Sequence, residues 1–352
     1  MLSLLIPSFT FLALPGCAAR EGELPGTSLD SLHPEFVPAE ARLVLHFDMQ
    51  GLQCTQLWKA LTAPGGPIDL EGEASELQEF KTQFGIDPLT DLLGVTVWGT
   101  SEDLEPEAAV LVTTANVDPA LAALRLQPGY RSEIHDGIEV QFLSFEQDGE
   151  PEANGGTRVE IGVHSDAIAA YVHPLSGGHR AIVVAENSDR VLRAAHVVRG
   201  ESPNLASTRG VAFQARPRPG SFFFGASLGG LPKTGGFQPA SQIFGLAQGI
   251  QFDLGEAGGS FFVHAAISTA DAELARKVRD SVAGVVAMGQ LLIGSQPEVP
   301  QGVRDLLDAI RVTQSDTLVD LDFEYATAGL LDLLKSLEAF DEDESDESGE
   351  DE

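Results

Sequence analysis

Leu43-Val-Leu-His-Phe-Asp48-Met-Gln-Gly51-Leu52 and Phe222-Phe-Phe-Gly-Ala-Ser227-Leu-Gly-Gly230-Leu231 decide the reading of the fold. Each is five strand-like residues, a small polar residue, two more residues, then Gly and Leu. Short apolar, aromatic-rich runs bounded by Gly mark strands that end in turns. Finding the layout twice predicts two related halves.

Outward from the first stretch, strand and helix signals alternate. Glu73 to Phe84 carries Leu77, Phe80 and Phe84 at three- and four-residue steps, the spacing of one helix face, and Gly85 stops it. Gly94–Trp98 and Ala108–Thr114 read as strands. Asp118-Pro119 opens a helix through Leu124, and Gly137–Phe145 is the next strand. Further strands at Thr157–Val163 and Arg180–Ala185 precede a helix from Ser188 to Arg199 that stops at Gly200. Outward from the second stretch, Ser221–Ala226, Gly249–Leu254 and Ser260–Ile267 read as strands. Asp271 opens a long helix through Ile293, with Leu274, Val278, Val282, Val285 and Gly289 on one stripe. Thr317–Tyr325 closes the order. The expected class is α+β. Each half, residues 42–205 and 206–340, follows the β-α-β-β-α-β pattern of ferredoxin-like folds, with helices on one face of an antiparallel sheet.

Two segments resemble known secreted proteins. Pro38-x-x-Ala41-x-Leu43-Val-Leu-His-Phe-Asp48 and Phe84-Gly-Ile-Asp87-Pro-Leu-Thr-Asp91-Leu-Leu-Gly-Val-Thr-Val-Trp-Gly99 are similar to segments of uncharacterised secreted lipoproteins of the planctomycete type. The resemblance covers about residues 38–335, implies export, and brings no activity or site residue with it.

The charge narrows the function classes. The chain holds 53 acidic and 21 basic side chains, a formal charge of −32. A nucleic-acid binder needs a basic footprint, so that class is excluded. Nine acids fall in Asp341–Glu352, and such a run is expected to be a disordered, solvated tail. At the other end, Met1 to Gly16 is uncharged and apolar, about the length of a signal-peptide core and short of the roughly 20 residues of a membrane span. It ends in Leu14-Pro15-Gly16-Cys17, which resembles the lipobox of bacterial lipoproteins. That resemblance implies cleavage before Cys17 and acylation of its sulfur, with residues 17–41 as a tether. The alternatives are an ordinary cleaved signal and a buried N-terminal element. Cys54 then reads as a small buried hydrophobe, with a Cys17–Cys54 disulfide open only where Cys17 carries no lipid.

Candidate chemistry is sparse. Gly225-Ala-Ser227-Leu-Gly229 matches the G-x-S-x-G elbow, whose serine needs a strand before it and a helix after it. Leu231 to Pro239 (LPKTGGFQP) does not suit a helix, so Ser227 reads as a turn serine and a hydrolase with Ser227 as nucleophile is the alternative. His173 and His179 flank a Gly turn, but a metal site needs three or four converging ligands, so no metal is expected there. His46 and His264 lie inside strands, as satisfied or solvent-facing imidazoles. Asp320, Asp322 and Glu324 alternate with Val319, Leu321, Phe323 and Tyr325, the pattern of a half-buried strand with a solvated acidic side. No phosphate loop or dinucleotide fingerprint occurs, and no cofactor is expected. These readings predict a non-catalytic, extracytoplasmic lipoprotein with a binding or structural role in the cell envelope. Its partners would be the membrane, through the lipid on Cys17, and an envelope protein or polymer. Weak divalent-cation binding through the acidic surface and tail is a further alternative.

Overall fold

The computed structural model describes residues 32–63, 78, 81–82, 85–144, 167–207, 217–229, 246–296 and 299–336. The expected signal segment, Cys17, the tether up to residue 31, most of the Glu73–Phe84 helix, the Thr157–Val163 strand and the acidic tail lie outside these residues.

Twelve strands are hydrogen-bonded into one sheet. They are β1 (Leu43–Asp48), β2 (Leu92–Gly99), β3 (Ala108–Thr113), β4 (Tyr130–His135), β5 (Ile138–Ser144), β6 (Ala167–Pro174), β7 (Arg180–Ala185), β8 (Ser221–Leu228), β9 (Ala247–Ala257), β10 (Ser260–Thr269), β11 (Ile310–Ser315) and β12 (Leu318–Ala326). The order is β11-β12-β10-β9-β8-β1-β2-β3-β7-β6-β5-β4, and all neighbours run antiparallel. Among the described residues the continuous helices are α1 (Met49–Cys54), α2 (Gln56–Leu61), α3 (Asp118–Leu124), α4 (Ser188–Val198), α5 (Ala272–Gly294), α6 (Gln301–Asp308) and α7 (327–336).

Local chemistry explains the boundaries. Asp48 ends β1 and caps α1, its carboxylate accepting the Gly51 N–H at 2.7 Å. Asn187 and Asp271 cap α4 and α5 in the same way. The β4–β5 hairpin turns at Asp136-Gly137 with φ of 51° and 76°, the left-handed pair that two-residue hairpins require. Asp87 accepts the Leu89 and Thr90 N–H groups while Asp91 accepts that of Asp87. Asp87 and Asp91 therefore build a turn before β2.

The mixed α+β class and the antiparallel sheet stand. The arrangement of the halves differs from the expected one. Instead of two ferredoxin-like sheets there is a single sheet, joined where β1 pairs with β8 through Leu43↔Ser227 to Phe47↔Phe223. Within it the order β1-β2-β3-β7-β6 recurs as β8-β9-β10-β12-β11, with the β4–β5 hairpin added at the outer edge of the first half. The helices also occupy both sides of the sheet. Cross-strand pairing puts Val44, Trp98, Val110, Val183, Phe224 and Ala226 on one side, here the Val44 side. Residues 32–41 and the α4 side chains Val191, Ala194, Ala195 and Val198 cover that side and form the larger core with it. The opposite, Leu45 side carries α5, whose Ala275 and Val278 pack on Ile250, Ile267 and Val319.

The residue-by-residue echo between the two stretches does not survive. Val44 lies opposite Ala226, so Phe223, its counterpart in the echo, points to the other side. A slip of one residue exchanges the two sides of a strand. The topology repeats, while the echo is out of register.

Candidate functional site

On the Leu45 side of the first half, α3 stands off the sheet. It is two turns long and rich in alanine, and Ala120 is its one buried residue. Ala170 on β6 is equally small. A cavity of about 380 Å³ opens between Ala120, Leu121 and Leu124 above and Ala170, Ile182 and Val184 below. Protein interiors rarely leave such space empty, and pockets of roughly 300–1,000 Å³ with apolar walls are the usual form of small-ligand sites. Its polar lining residues are Tyr130 and Gln141. The Tyr130 hydroxyl donates to Gln141 Oε1, so these two polar groups satisfy each other and the surface the chamber exposes is apolar throughout.

A second cluster lies on the Val44 side of the second half. Asp253 is fully buried. Its Oδ1 accepts the Ser221 hydroxyl at 2.8 Å and the Arg218 N–H at 3.1 Å, and its Oδ2 lies 2.9 Å from His264 Nδ1. His264 Nε2 faces Asp320 Oδ1 at 3.4 Å, and the Arg218 guanidinium pairs with Asp322. The bond to Asp253 holds the imidazole above its ordinary pKa despite burial, with Asp320 adding to the effect. Serine, aspartate and histidine meet here in the wrong order for catalysis. In a triad the imidazole touches the hydroxyl and the carboxylate stands behind it; here the carboxylate sits between them.

The residues singled out in the sequence are distributed as follows. Ser227 is a correction: it is no turn serine but a buried residue inside β8, opposite Leu43 and Ile250. The segment meant to follow the elbow lies outside the described residues. Asp320 and Asp322 are more than a solvated edge, since they face His264 and Arg218. His46 is buried and its Nδ1 lies 2.9 Å from Thr96 Oγ1. His173 lies in β6 beside the Tyr171 hydroxyl at 3.1 Å. Among the described residues no three His, Cys, Asp or Glu side chains come close enough to hold a metal ion. Cys54 is also a correction: at the end of α1 it is half-buried and disulfide-bonded rather than a small buried hydrophobe. Asp253, Ser221 and the α3 cavity escaped the sequence reading. Asp253 sits in an alternating strand whose polar side gives no sign that it is closed off.

Among the described residues no helix is long and apolar enough to cross a membrane. No protein-family model and no curated protein matches the chain. Among solved structures, crystal form III of TP0453 is similar at a TM-score of 0.41 and 10% identity, covering 88% of this chain and 99% of that one. Crystal form I of TP0453 gives a TM-score of 0.40 at 10% identity over 88% and 98% of the two chains, and crystal form IV gives 0.36 at 9% over 85% and 95%.

Proposed function

We propose that the protein is a non-catalytic binding protein of the bacterial cell envelope that holds an apolar chain in the cavity beneath α3. The observation that carries this reading is the chamber itself, whose exposed walls are apolar, with Tyr130 and Gln141 paired to each other at one end. Two features weigh against a hydrolase: Ser227 is buried in a strand, and His264 reaches Asp253 rather than a hydroxyl. We read the repeated strand order as one duplicated unit, each containing a β-α-β crossover split by a third strand (β3-β7-β6 and β10-β12-β11), the element that ferredoxin-like folds share.

The test is a thermal-shift titration with 1-dodecanol. A ligand bound to the folded state alone stabilises it by about 2.7 kcal/mol at a hundredfold excess over Kd. The parent's melting temperature should rise with ligand, while Ala170→Phe and Ala120→Phe, which fill the chamber from below and above, should show no rise. Equal rises in parent and both variants would place the ligand elsewhere and end this reading.

Attachment to the membrane through Cys17 belongs to the same proposal, for the form of the chain in which Cys54 is not bonded to it. One sulfur cannot carry both a lipid and a disulfide, so acylation of Cys17 and pairing with Cys54 exclude each other. Intact mass of protein extracted from envelopes separates them: acyl chains add mass, and a disulfide removes two hydrogens. A Cys17→Ala protein that keeps the added mass would sink the anchor.

A further inference from the structure

The end of the cavity lined by Tyr130 and Gln141 has a cation beside it. Arg125 directly follows Leu124, which lines the chamber. Its guanidinium lies 3.8 Å from Glu139 Oε1. Glu139 is on β5 on the same side of the strand as Gln141, so it stands about 7 Å from it. Tyr130, the other polar lining residue, interacts with Arg125, and that contact raises the arginine's pKa. Arg125, Tyr130 and Gln141 therefore share one end of the chamber. At this end the apolar surface also reaches solvent: Leu126, next to Arg125, is 85% exposed, and Ile134, paired with Glu139 across β4–β5, is 76% exposed. Scattered exposed apolar residues are ordinary, but here the two flank the charged pair.

From this juxtaposition we propose that the chamber takes a single-chain amphiphile with an anionic oxygen head group, its chain among Leu121, Leu124, Ile182 and Val184 and its head on Arg125. The inference rests on the cavity-binding reading and adds the class of ligand and the residue that selects it. Arginine suits the task because its planar fork presents paired N–H donors to a carboxylate or phosphate. Its present partner is weak competition. Both side chains of the Arg125–Glu139 pair are about half exposed, and such pairs contribute little. An incoming head group displaces Glu139 and exchanges one anion for another, while its chain is buried. Glu139 thus acts against anionic ligands, and its removal should help them.

The experiment compares four full-length proteins, the parent, Arg125→Gln, Glu139→Gln and Ala170→Phe, with dodecanoate, dodecyl phosphate, 1-dodecanol and dodecyltrimethylammonium by titration calorimetry. Arg125→Gln should weaken both anions about tenfold, the scale of one charge-assisted hydrogen bond, and leave 1-dodecanol unchanged. Glu139→Gln should tighten the anions and weaken the cation. Preference between dodecanoate and dodecyl phosphate then identifies the head group. Equal effects of Arg125→Gln on anion and alcohol would overturn the proposal, as would anion binding indifferent to both charge variants. If Ala170→Phe fails to abolish binding of 1-dodecanol, the cavity reading itself falls, a different outcome from a failure of head-group selection. Both charged positions are solvent-exposed, so their variants should fold, and melting curves without ligand check this.

Discussion

Protonating His46 should destabilise this protein, and the cost follows from where the imidazole sits. His46 is 3% exposed on the Val44 side of the central strand β1. The Thr96 hydroxyl has one proton and donates it to the Leu32 carbonyl at 3.3 Å, so it accepts from His46 Nδ1. The ring is thus assigned as the neutral Nδ1–H tautomer, tying β1, β2 and the segment at Leu32 together. Burial pushes its pKa down to about 4; the charge of His33 acts in the same direction and the Val95 backbone opposes it. In the unfolded chain the same group titrates near 6.5. The sign follows: between those values the unfolded chain binds the proton and the folded one does not, so stability is full above pH 6.5 and is lost as pH falls towards 4. A drop of about 2.5 pH units at about 1.36 kcal/mol each gives about 3 kcal/mol. That is a large part of a typical net stability of roughly 5–15 kcal/mol. Urea unfolding followed by tryptophan fluorescence at pH 4.5, 5.5, 6.5 and 7.5 measures it, for the parent and for His46→Asn. The asparagine amide can donate to Thr96 but does not titrate. It should cost stability at every pH and lose about 2.5 kcal/mol less than the parent between pH 7.5 and pH 4.5. Many carboxylates titrate in the same range, so the difference between the two profiles is the quantity read. Parallel profiles, within about 0.5 kcal/mol, would refute the assignment of a neutral buried imidazole.

Three further outcomes are expected. His264 has the opposite sign: its pKa is raised, foremost by the bond to Asp253, so its contribution is full below pH 6.5 and fades as pH rises through the folded value. The penalty of His264→Gln should therefore be larger at pH 5.5 than at pH 9 in the same urea assay. A Cβ at Gly225 would meet the Phe252 ring at 2.4 Å in a fully paired strand, so Gly225→Ala should cost about 1–3 kcal/mol in thermal melts. Ser227, buried between β1 and β9, should resist a fluorophosphonate probe; labelling there would reopen the hydrolase reading.

Much of the strand and helix order could be read from period and punctuation, and the misses have physical causes. β1, β3, α3, α5 and the β9–β10 pair were legible because each has a clean period and a capping or turn residue at its end. β4 (Tyr130–His135) was not: four of its six residues are exposed, so it carries no apolar alternation to read. β6 has the opposite problem, with apolar residues facing the Val44 core and the cavity alike. α6 and β11 follow directly after α5, where the pattern of a long helix hides a short one. The cavity was illegible for another reason: it is a mismatch between Ala120 and Ala170 brought together by topology, and neither alanine is unusual in its own strand or helix.

The repeat explains why the sequence misled about the sides of the sheet. The two units share a strand order, yet the first buries chiefly the Val44 side under α4 and the second buries the Leu45 side under α5. Strand β8 has to serve both. Six of its eight residues are buried, against an alternating three of six in β1. An apolar run such as Phe222-Phe-Phe is what a strand closed on both sides requires, and it conceals which residue belongs to which side. The echo matches in composition alone and lies one residue out of register with the pairing. The same change of side leaves the Val44 side of the second unit to a polar network, in which Asp253 ties Ser221, Arg218 and His264 together. A buried carboxylate is tolerable only when its hydrogen bonds are met, and Asp253 meets them from three directions. Breaking that network should therefore loosen β8, β9 and β10 together, while the cavity under α3, at the far end of the sheet, should be unaffected.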